Sequence, residues 1–295
     1  MILAQTIACA RGFGDFEGIK LLAQAGYDAI DYSMSGIRDD DHILNSDEYK
    51  NYAAKLLDEA KKNNIYFSQG HAVFGIPIDD EELAYKAYVK KNSRVLEVAS
   101  LLNIKTVVFH PLCPRPYIGN EEYIYNANMK YFREMVALAE HYGVKIAVEN
   151  MWTTDKRRGV LKGSTCSNPY EHAHYVDSIG SEMFAACLDV GHSSLAGREA
   201  QDCIRVLGSR LQALHIHDND YKDDMHTLPG LSEMNWDEIT QALADIDYKG
   251  DFTMETDHFF DSFQQDIEAE RVALKLSEII GRRMIEKIEL AKSRK

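Results

Sequence analysis

The sequence predicts an α/β fold, a (β/α)8 TIM barrel formed by a single domain over residues 1–295. Three observations support this prediction. Eight short apolar segments alternate with amphipathic segments of helical period. Several of the apolar segments are nearly continuous, as in parallel strands that are covered on both faces. Six of them run into a histidine or an acidic residue, and strand C-termini converge on one face of such a barrel.

The predicted elements follow one another in a regular order along the chain. The eight strands are predicted at residues 2–8, 28–32, 65–69, 105–109, 144–149, 184–189, 211–216 and 251–256. Helices are predicted at 47–63, 80–102, 121–142, 169–179, 236–246 and 264–291. Asp79 or Asp80 is a suitable N-cap for the helix at 80–102, and Gly143 is a suitable stop after the helix at 121–142. The competing open doubly wound sheet would need a complete glycine-rich phosphate loop after its first strand, which residues 10–14 lack.

Residues that bind metals or transfer protons stand at corresponding positions on these strands. They are His71, His110, Glu149, Asp189, His215 and Glu255. Four of the five intervals between them are 39 or 40 residues long, and the fifth is 26. A repeated unit with a ligand-type residue at the same place in each copy predicts one shared site at the carboxyl end of the barrel.

Composition and charge exclude several classes of protein. The formal net charge of −14 is unsuited to neutralising phosphates, so no nucleic-acid partner is expected. The five cysteines are scattered and form no C-x-x-C pair, which is typical of reduced thiols in the cytosol. The N-terminus lacks the basic region of a signal peptide, and no apolar run has the length of a membrane helix. We therefore expect a cytoplasmic protein with no membrane partner.

Four of the strand-end residues form a ligand set suited to a hard divalent cation. Glu149, Asp189, His215 and Glu255 offer three carboxylates and one imidazole at successive strand ends. This set favours Mn²⁺, with Mg²⁺, Co²⁺ or Zn²⁺ as alternatives. We predict one divalent metal ion per chain.

Short motifs around these residues resemble those of the xylose isomerase-like barrel superfamily. They are Val-Glu-Asn, Leu-Asp-Val-Gly-His, His-Ile-His-Asp-Asn-Asp, Asp-Met-His-Thr-Leu-Pro-Gly and Met-Glu-Thr. The superfamily includes sugar isomerases and epimerases, inosose-processing enzymes and endonuclease IV. The resemblance spans the chain and implies that Glu149, Asp189, His215 and Glu255 chelate one metal ion.

The resemblance also implies a second rank of residues around the metal. His71, His110, His192, Asp224 and His226 would contact the substrate, together with Asp155 from the loop after the fifth strand. Apart from the resemblance, the aromatic ring of Trp152 in the same loop is suited to stacking on a sugar ring, so we add it to the substrate-binding residues. In the three-zinc nuclease branch, the residues that match the first five of these are further metal ligands. The motifs alone leave both roles open.

The chemistry that this set favours is a proton transfer next to a carbonyl group. A divalent metal stabilises the enediolate of an α-hydroxy ketone, and two carboxylates can remove and return the proton. We predict a sugar isomerase or epimerase of carbohydrate metabolism with Glu149 and Glu255 as the catalytic pair, acting on a monosaccharide or polyol ketone. The alternatives are a metal-dependent lyase or dehydratase on a keto-sugar or inosose, and an abasic-site nuclease with three metals.

The substrate and the assembly stay open at this level. Ketohexose 3-epimerases hold the sugar with an acidic residue and an arginine at positions that are Asp155 and Tyr221 here, and a tyrosine cannot replace a guanidinium. The long C-terminal helix has enough apolar positions for contact with a second copy, so a homo-oligomer is one of the alternatives.

Overall fold

The computed structural model describes residues 1–294 and contains the predicted barrel. Within these residues, eight parallel strands are hydrogen-bonded in the order β10 (Phe252–Met254), β1 (Leu3–Thr6), β2 (Ala29–Ser33), β3 (Tyr66–His71), β4 (Thr106–Phe109), β5 (Lys145–Glu149), β8 (Phe184–Asp189) and β9 (Leu211–His215). A parallel bridge between Ile216 and Met254 joins the two outer strands, so the sheet closes on itself. The fold prediction is confirmed.

The helices pack outside the strands and bury their apolar faces on them. They are α1 (Asp15–Ala25), α2 (Tyr49–Lys62), α3 (Glu81–Leu101), α4 (Glu121–Tyr142), α5 (Pro169–Ile179), α6 (Val190–Leu195), α7 (Ala200–Leu207), α8 (Trp236–Asp245) and α9 (Ile267–Ser293). Asp80 caps α3 by accepting hydrogen bonds from the backbone N–H groups of Glu82 and Leu83. Gly143 ends α4 in the left-handed conformation, at φ 67°. All six predicted helices are present with small shifts at their ends.

The region after β5 differs from the sequence prediction, which placed only loop there. Residues Trp152–Asp155 (β6) and Val160–Gly163 (β7) form an antiparallel hairpin. The hairpin packs on α6, a short helix that starts directly after β8 and was also not predicted. A two-stranded hairpin has little independent stability, so this packing supports it.

The interior of the barrel has a small apolar half and a polar half. Val108, Ala147, Cys187 and Ala213 form a separate buried cluster on β4, β5, β8 and β9. Since side chains two residues apart on a strand share a face, His110, Glu149, Asp189 and His215 stand one layer above this cluster. The other half holds buried polar side chains: Thr6, Asp31, Gln69 and Thr253. The candidate site is therefore the top layer of the barrel interior.

Two buried asparagines hold the chain just beyond β3 and β4. Asn92 of α3 accepts a hydrogen bond from the Val73 N–H at 2.9 Å and donates one to the Val73 carbonyl at 3.3 Å. Asn128 of α4 makes the same pair of hydrogen bonds with Leu112, at 2.7 and 2.8 Å. Val73 and Leu112 each follow a strand-end histidine by two residues, so the asparagines fix the backbone that carries those histidines.

No helix in residues 1–294 combines the length and the apolar composition needed to cross a membrane.

Candidate metal centre and active site

The structure brings the four predicted metal ligands together at the top of the barrel. One donor atom from each of Glu149, Asp189, His215 and Glu255 lies within 4.8 Å of the others. His215 Nδ1 is central, at 2.9 Å from Glu149 Oε1 and 3.1 Å from Glu255 Oε2. Glu149, Asp189 and His215 are almost completely buried, and the Glu255 side chain is 17% exposed. Three carboxylates in so little solvent need compensating positive charge, so these residues fit a bound cation.

The two glutamates of this group have opposite pKa shifts. Burial raises the pKa of Glu149, but the charges on His215 and His110 outweigh it and hold this pKa well below its usual value. Burial is also the largest influence on Glu255 and raises its pKa to about 7. Glu149 is thus ionised in this arrangement, and Glu255 has the higher proton affinity of the two carboxylates.

His71 and His110 lie on the other side of Glu149. His110 Nε2 is 2.9 Å and His71 Nε2 is 3.7 Å from Glu149 Oε2. Phe74 stacks on the His110 ring with 4.5 Å between ring centroids and is 38% exposed, so it walls the mouth of the site. Burial lowers the pKa of His110. At His71, burial lowers the pKa, but contact with Glu149 outweighs it and leaves it raised.

A second acidic and imidazole group lies beside the first. His192 Nε2 and His226 Nε2 are 3.5 and 3.4 Å from the two oxygens of Asp224. The Trp152 indole donates a hydrogen bond to Asp224 Oδ2 at 3.3 Å. Although burial lowers the pKa of His192, the carboxylates of Asp189 and Asp224 raise it to about 10. His192 Nδ1 is 3.6 Å from Glu149 Oε1, which places the two groups in one pocket.

Asp155, a predicted substrate-binding residue, is directed elsewhere. Its carboxylate pairs with Lys162 Nζ at 2.8 Å across the hairpin and accepts a hydrogen bond from the Arg157 N–H. Its role in holding a substrate stays a prediction that these contacts do not favour. Tyr221 is 38% exposed in the loop after β9.

Sequence reasoning missed two buried polar residues that touch the site. His217 Nε2 lies 3.0 Å from Asp189 Oδ1, and Asp31 Oδ2 lies 3.4 Å from His215 Nε2. Both had a signal. His217 is two residues after His215, on the same face of the chain. Asp31 stands near the end of a predicted strand, as the selected residues do.

The pocket can hold a small polar molecule between hard ligands and a potential acid/base pair. Its position at the carboxyl ends of the strands is where (β/α)8 enzymes carry their active sites. Fold and site together define a (β/α)8 barrel with a carboxylate and imidazole centre.

Comparison with known proteins identifies the family. The model of the xylose isomerase-like TIM barrel family matches residues 19–274, and the chain belongs to this family. The resemblance seen in the motifs is therefore confirmed.

Individual relatives share about 30% sequence identity with the chain or less. An uncharacterized protein of Methanocaldococcus jannaschii is 28% identical over 274 residues, which cover 91% of this chain and 87% of the relative. The D-psicose 3-epimerase of Enterocloster bolteae is 32% identical over 127 residues, 43% of this chain and 38% of the epimerase. The name of the second relative agrees with the prediction of an isomerase.

A solved structure shows the same fold over nearly the whole chain. The structure of the IOLI protein with a bound zinc atom is similar with a TM-score of 0.73, 20% identity, and coverage of 95% of this chain and 98% of the other. At this identity the likeness supports the fold.

Proposed function

We propose that this protein is a divalent-cation-dependent isomerase that epimerises or isomerises a neutral monosaccharide or polyol ketone. The observation that carries the proposal is the placement of Glu149 and Glu255 on β5 and just after β10, with His215 Nδ1 within 3.1 Å of both. Family membership and the epimerase among the relatives support it.

The residues that would hold the cation are Glu149, Asp189, His215 and Glu255. Their oxygen-rich donor set is that of a hard divalent ion, Mn²⁺ first, with Mg²⁺, Co²⁺ or Zn²⁺ as alternatives. The zinc atom of the structurally similar IOLI protein supports a divalent ion in this fold. A bound cation acts as a Lewis acid toward the carbonyl and hydroxyl oxygens of a ketose.

The two glutamates perform the proton transfer. In the proposed reaction, one glutamate removes the proton from the carbon next to the carbonyl and leaves an enediolate. The other glutamate returns a proton to the opposite face of that carbon, which inverts it, or to the former carbonyl carbon, which moves the carbonyl. In the second case the hydroxyl proton also moves from its oxygen to the former carbonyl oxygen. The enzyme gains one proton on the first carboxylate and loses one from the second, so exchange with water restores it. Trp152 and the imidazoles of His71, His110, His192 and His226, with Asp224, would bind the hydroxyl groups.

The charges around the site favour a neutral substrate over a sugar phosphate. Arg11, at the rim, is committed to Asp257 and Asp261, and Lys162 is committed to Asp155. Arg157 and Arg158 are exposed at the tip of the hairpin. The pocket itself is lined by carboxylates and imidazoles, and carboxylates repel a phosphate dianion.

Turnover in D₂O tests the proposal directly. A panel of ketoses and inososes, each with its phosphate, is incubated with the Mn²⁺-loaded protein and analysed by NMR and mass spectrometry. We expect one deuterium at the inverted or transferred carbon and a product otherwise unchanged in mass. Glu149→Gln and Glu255→Gln should each lower kcat by about 10²–10⁴-fold. A product that retains all its original hydrogens contradicts the mechanism, and loss of water or of an alcohol would indicate a lyase.

A second candidate function is a phosphodiesterase with three metal ions. The observation that favours it is the presence of two further donor groups, His71/His110/Glu149 and His192/Asp224/His226, next to the first. Cleavage of an abasic-site oligonucleotide together with three metal ions per chain would support this function against the isomerase. The net charge of −14 opposes it, because DNA binding needs a basic surface.

The single-domain extent of residues 1–295, the cytoplasmic location and a homo-oligomer stay predictions.

A further inference from the structure

We infer that Asp31 is a positioning residue that orients the His215 imidazole toward the cation. The inference rests on the cation site of the proposed function, but not on the reaction or on the identity of the sugar. Asp31 belongs to β2 and has no part in the mechanism above. It is 1% exposed, and His215 is completely buried.

The two ring nitrogens of His215 face opposite sides of the barrel interior. Nδ1 faces the proposed cation site, at 2.9 Å from Glu149 Oε1 and 3.1 Å from Glu255 Oε2. Nε2 faces β2, and Asp31 Oδ2 lies 3.4 Å from it. Within residues 1–294, neither His215 Nε2 nor Asp31 Oδ1 has a well-aligned hydrogen-bond partner. The Asp31 carboxylate is therefore the acceptor available to the Nε2–H.

Asp31 is itself held in place from the neighbouring strand. Gln69 on β3 donates from Nε2 to Asp31 Oδ2 at 3.3 Å and to the Leu214 carbonyl at 3.4 Å. Leu214 precedes His215 on β9, so one amide connects the carboxylate to the backbone of the ligand. The register of β2 and β3 shifts between Ile30 and Asp31, and a shift of this kind changes the direction of a side chain.

This arrangement determines which nitrogen of His215 can bind a metal. A carboxylate beside Nε2 keeps the proton on that nitrogen, which leaves Nδ1 to coordinate the cation. It also fixes the plane of the ring and makes Nδ1 a stronger donor. Without the carboxylate, the buried ring has no anchor on its far side, and the cation must bind a ring that is free to choose the other tautomer.

The test compares Asp31→Asn with Glu270→Gln. Both changes replace a buried carboxylate by its amide, and Glu270 lies on α9, outside the proposed site. The first measurement is the dissociation constant of Zn²⁺ by competition with a chromophoric chelator. We expect Asp31→Asn to weaken binding about 10–100-fold and Glu270→Gln to leave it within about twofold. Gln69→Met, which removes the amide that holds Asp31, should weaken binding by a smaller factor.

The second measurement needs no metal. In metal-free, ¹⁵N-histidine-labelled protein, the Nε2–H signal of His215, assigned by its loss in His215→Gln, should exchange slowly with water. It should exchange faster in Asp31→Asn and stay slow in Glu270→Gln. Unchanged Zn²⁺ affinity together with unchanged exchange in Asp31→Asn overturns the inference, even if that variant is less stable to heat. If Asp31→Asn does not fold, Gln69→Met decides by the same two measurements.

The proposed function and the inference about Asp31 can be refuted independently of each other. Wild-type protein that binds no divalent ion removes the basis of the proposed function, while the exchange rate of the His215 Nε2–H still reports on Asp31.

Discussion

His110 Nε2 lies 2.9 Å from Glu149 Oε2, while His215 Nδ1 lies 2.9 Å from the other oxygen of the same carboxylate. Glu149 thus stands between two imidazoles on opposite sides. If a cation binds among Glu149, Asp189, His215 and Glu255, the Oε2 side of Glu149 can either hold His110 by a hydrogen bond or take part in a second metal site. The number of bound ions distinguishes these two arrangements.

We predict one tightly bound divalent ion per chain. The double variant His71→Gln/His110→Gln should keep this ion, because it leaves Glu149, Asp189, His215 and Glu255 in place. Asp189→Asn should lose it, since a charged ligand becomes a neutral one. Elemental analysis of the purified proteins after gel filtration measures all three stoichiometries. Three ions in the wild type, with fewer in the double variant, would instead support the phosphodiesterase.

Asn128 should contribute strongly to stability, because its side chain is the partner of both backbone polar groups of Leu112. Asn128→Leu leaves a buried N–H and a buried carbonyl unpaired, which we expect to lower the free energy of unfolding by about 2–4 kcal/mol. Urea denaturation followed by circular dichroism measures the change. Asn126→Leu, at an exposed position on the same helix, is the matched control and should change stability by less than about 0.5 kcal/mol. A similar decrease in the free energy of unfolding in the two variants would mean that the buried hydrogen bonds of Asn128 do not stabilise the fold more than an exposed side chain does.

Particular residues show how far the sequence predicts the fold and the site. Glu149, Asp189 and His215 were identifiable because each ends an apolar run and period-two alternation places it on the inner face, above Ala147, Cys187 and Ala213. Asn92 and Asn128 were not identifiable, since a buried asparagine inside an amphipathic helix looks like any polar residue near the edge of its apolar face. Their partners, Val73 and Leu112, lie 19 and 16 residues away, and only the packing of helix on strand brings them together.

The hairpin after β5 could not be predicted from the sequence for a different reason. Residues 152–163 have few apolar positions. The two strands pair with each other and not with the barrel, so no pattern of buried residues marks them as strands. Across this hairpin the Asp155 carboxylate pairs with Lys162 at 2.8 Å. The position of Asp155 six residues after Glu149 predicted that it contacts the substrate, and its pairing within the hairpin does not favour that role.

Glu270 should make the protein less stable as the pH rises from 4.5 to about 7. Burial raises its pKa to about 7, above the ordinary value of 4.5, and within residues 1–294 both carboxylate oxygens lack a hydrogen-bond partner. Between pH 4.5 and 7 the folded state therefore holds a proton that the unfolded state releases, so stability falls over this interval and stays lower above it. Glu270→Gln cannot ionise. Its Tm should exceed that of the wild type by several degrees at pH 8 and approach it at pH 5.

The control for this prediction is a carboxylate that the solvent already stabilises. Glu286→Gln lies on the same helix at an exposed position and should follow the wild type at both pH values. A Tm difference between Glu270→Gln and wild type that stays constant from pH 5 to pH 8 would show that Glu270 does not titrate in this interval.

Trp152 should support substrate binding by positioning Asp224 through a hydrogen bond, without taking part in the proton transfer. Its indole N–H donates to Asp224 Oδ2 at 3.3 Å, and the same carboxylate lies within 3.5 Å of His192 and His226. Trp152→Phe keeps an aromatic ring but removes this donor to a charged acceptor, which is worth about 1.5–3 kcal/mol. With the ketose that the deuterium assay identifies, we expect KM to rise about tenfold or more while kcat stays within about threefold, as for a loss of uniform binding. Tyr170→Phe, at a 71% exposed position, should change neither constant. A fall in kcat of Trp152→Phe at unchanged KM would instead place the indole in the chemistry of the reaction.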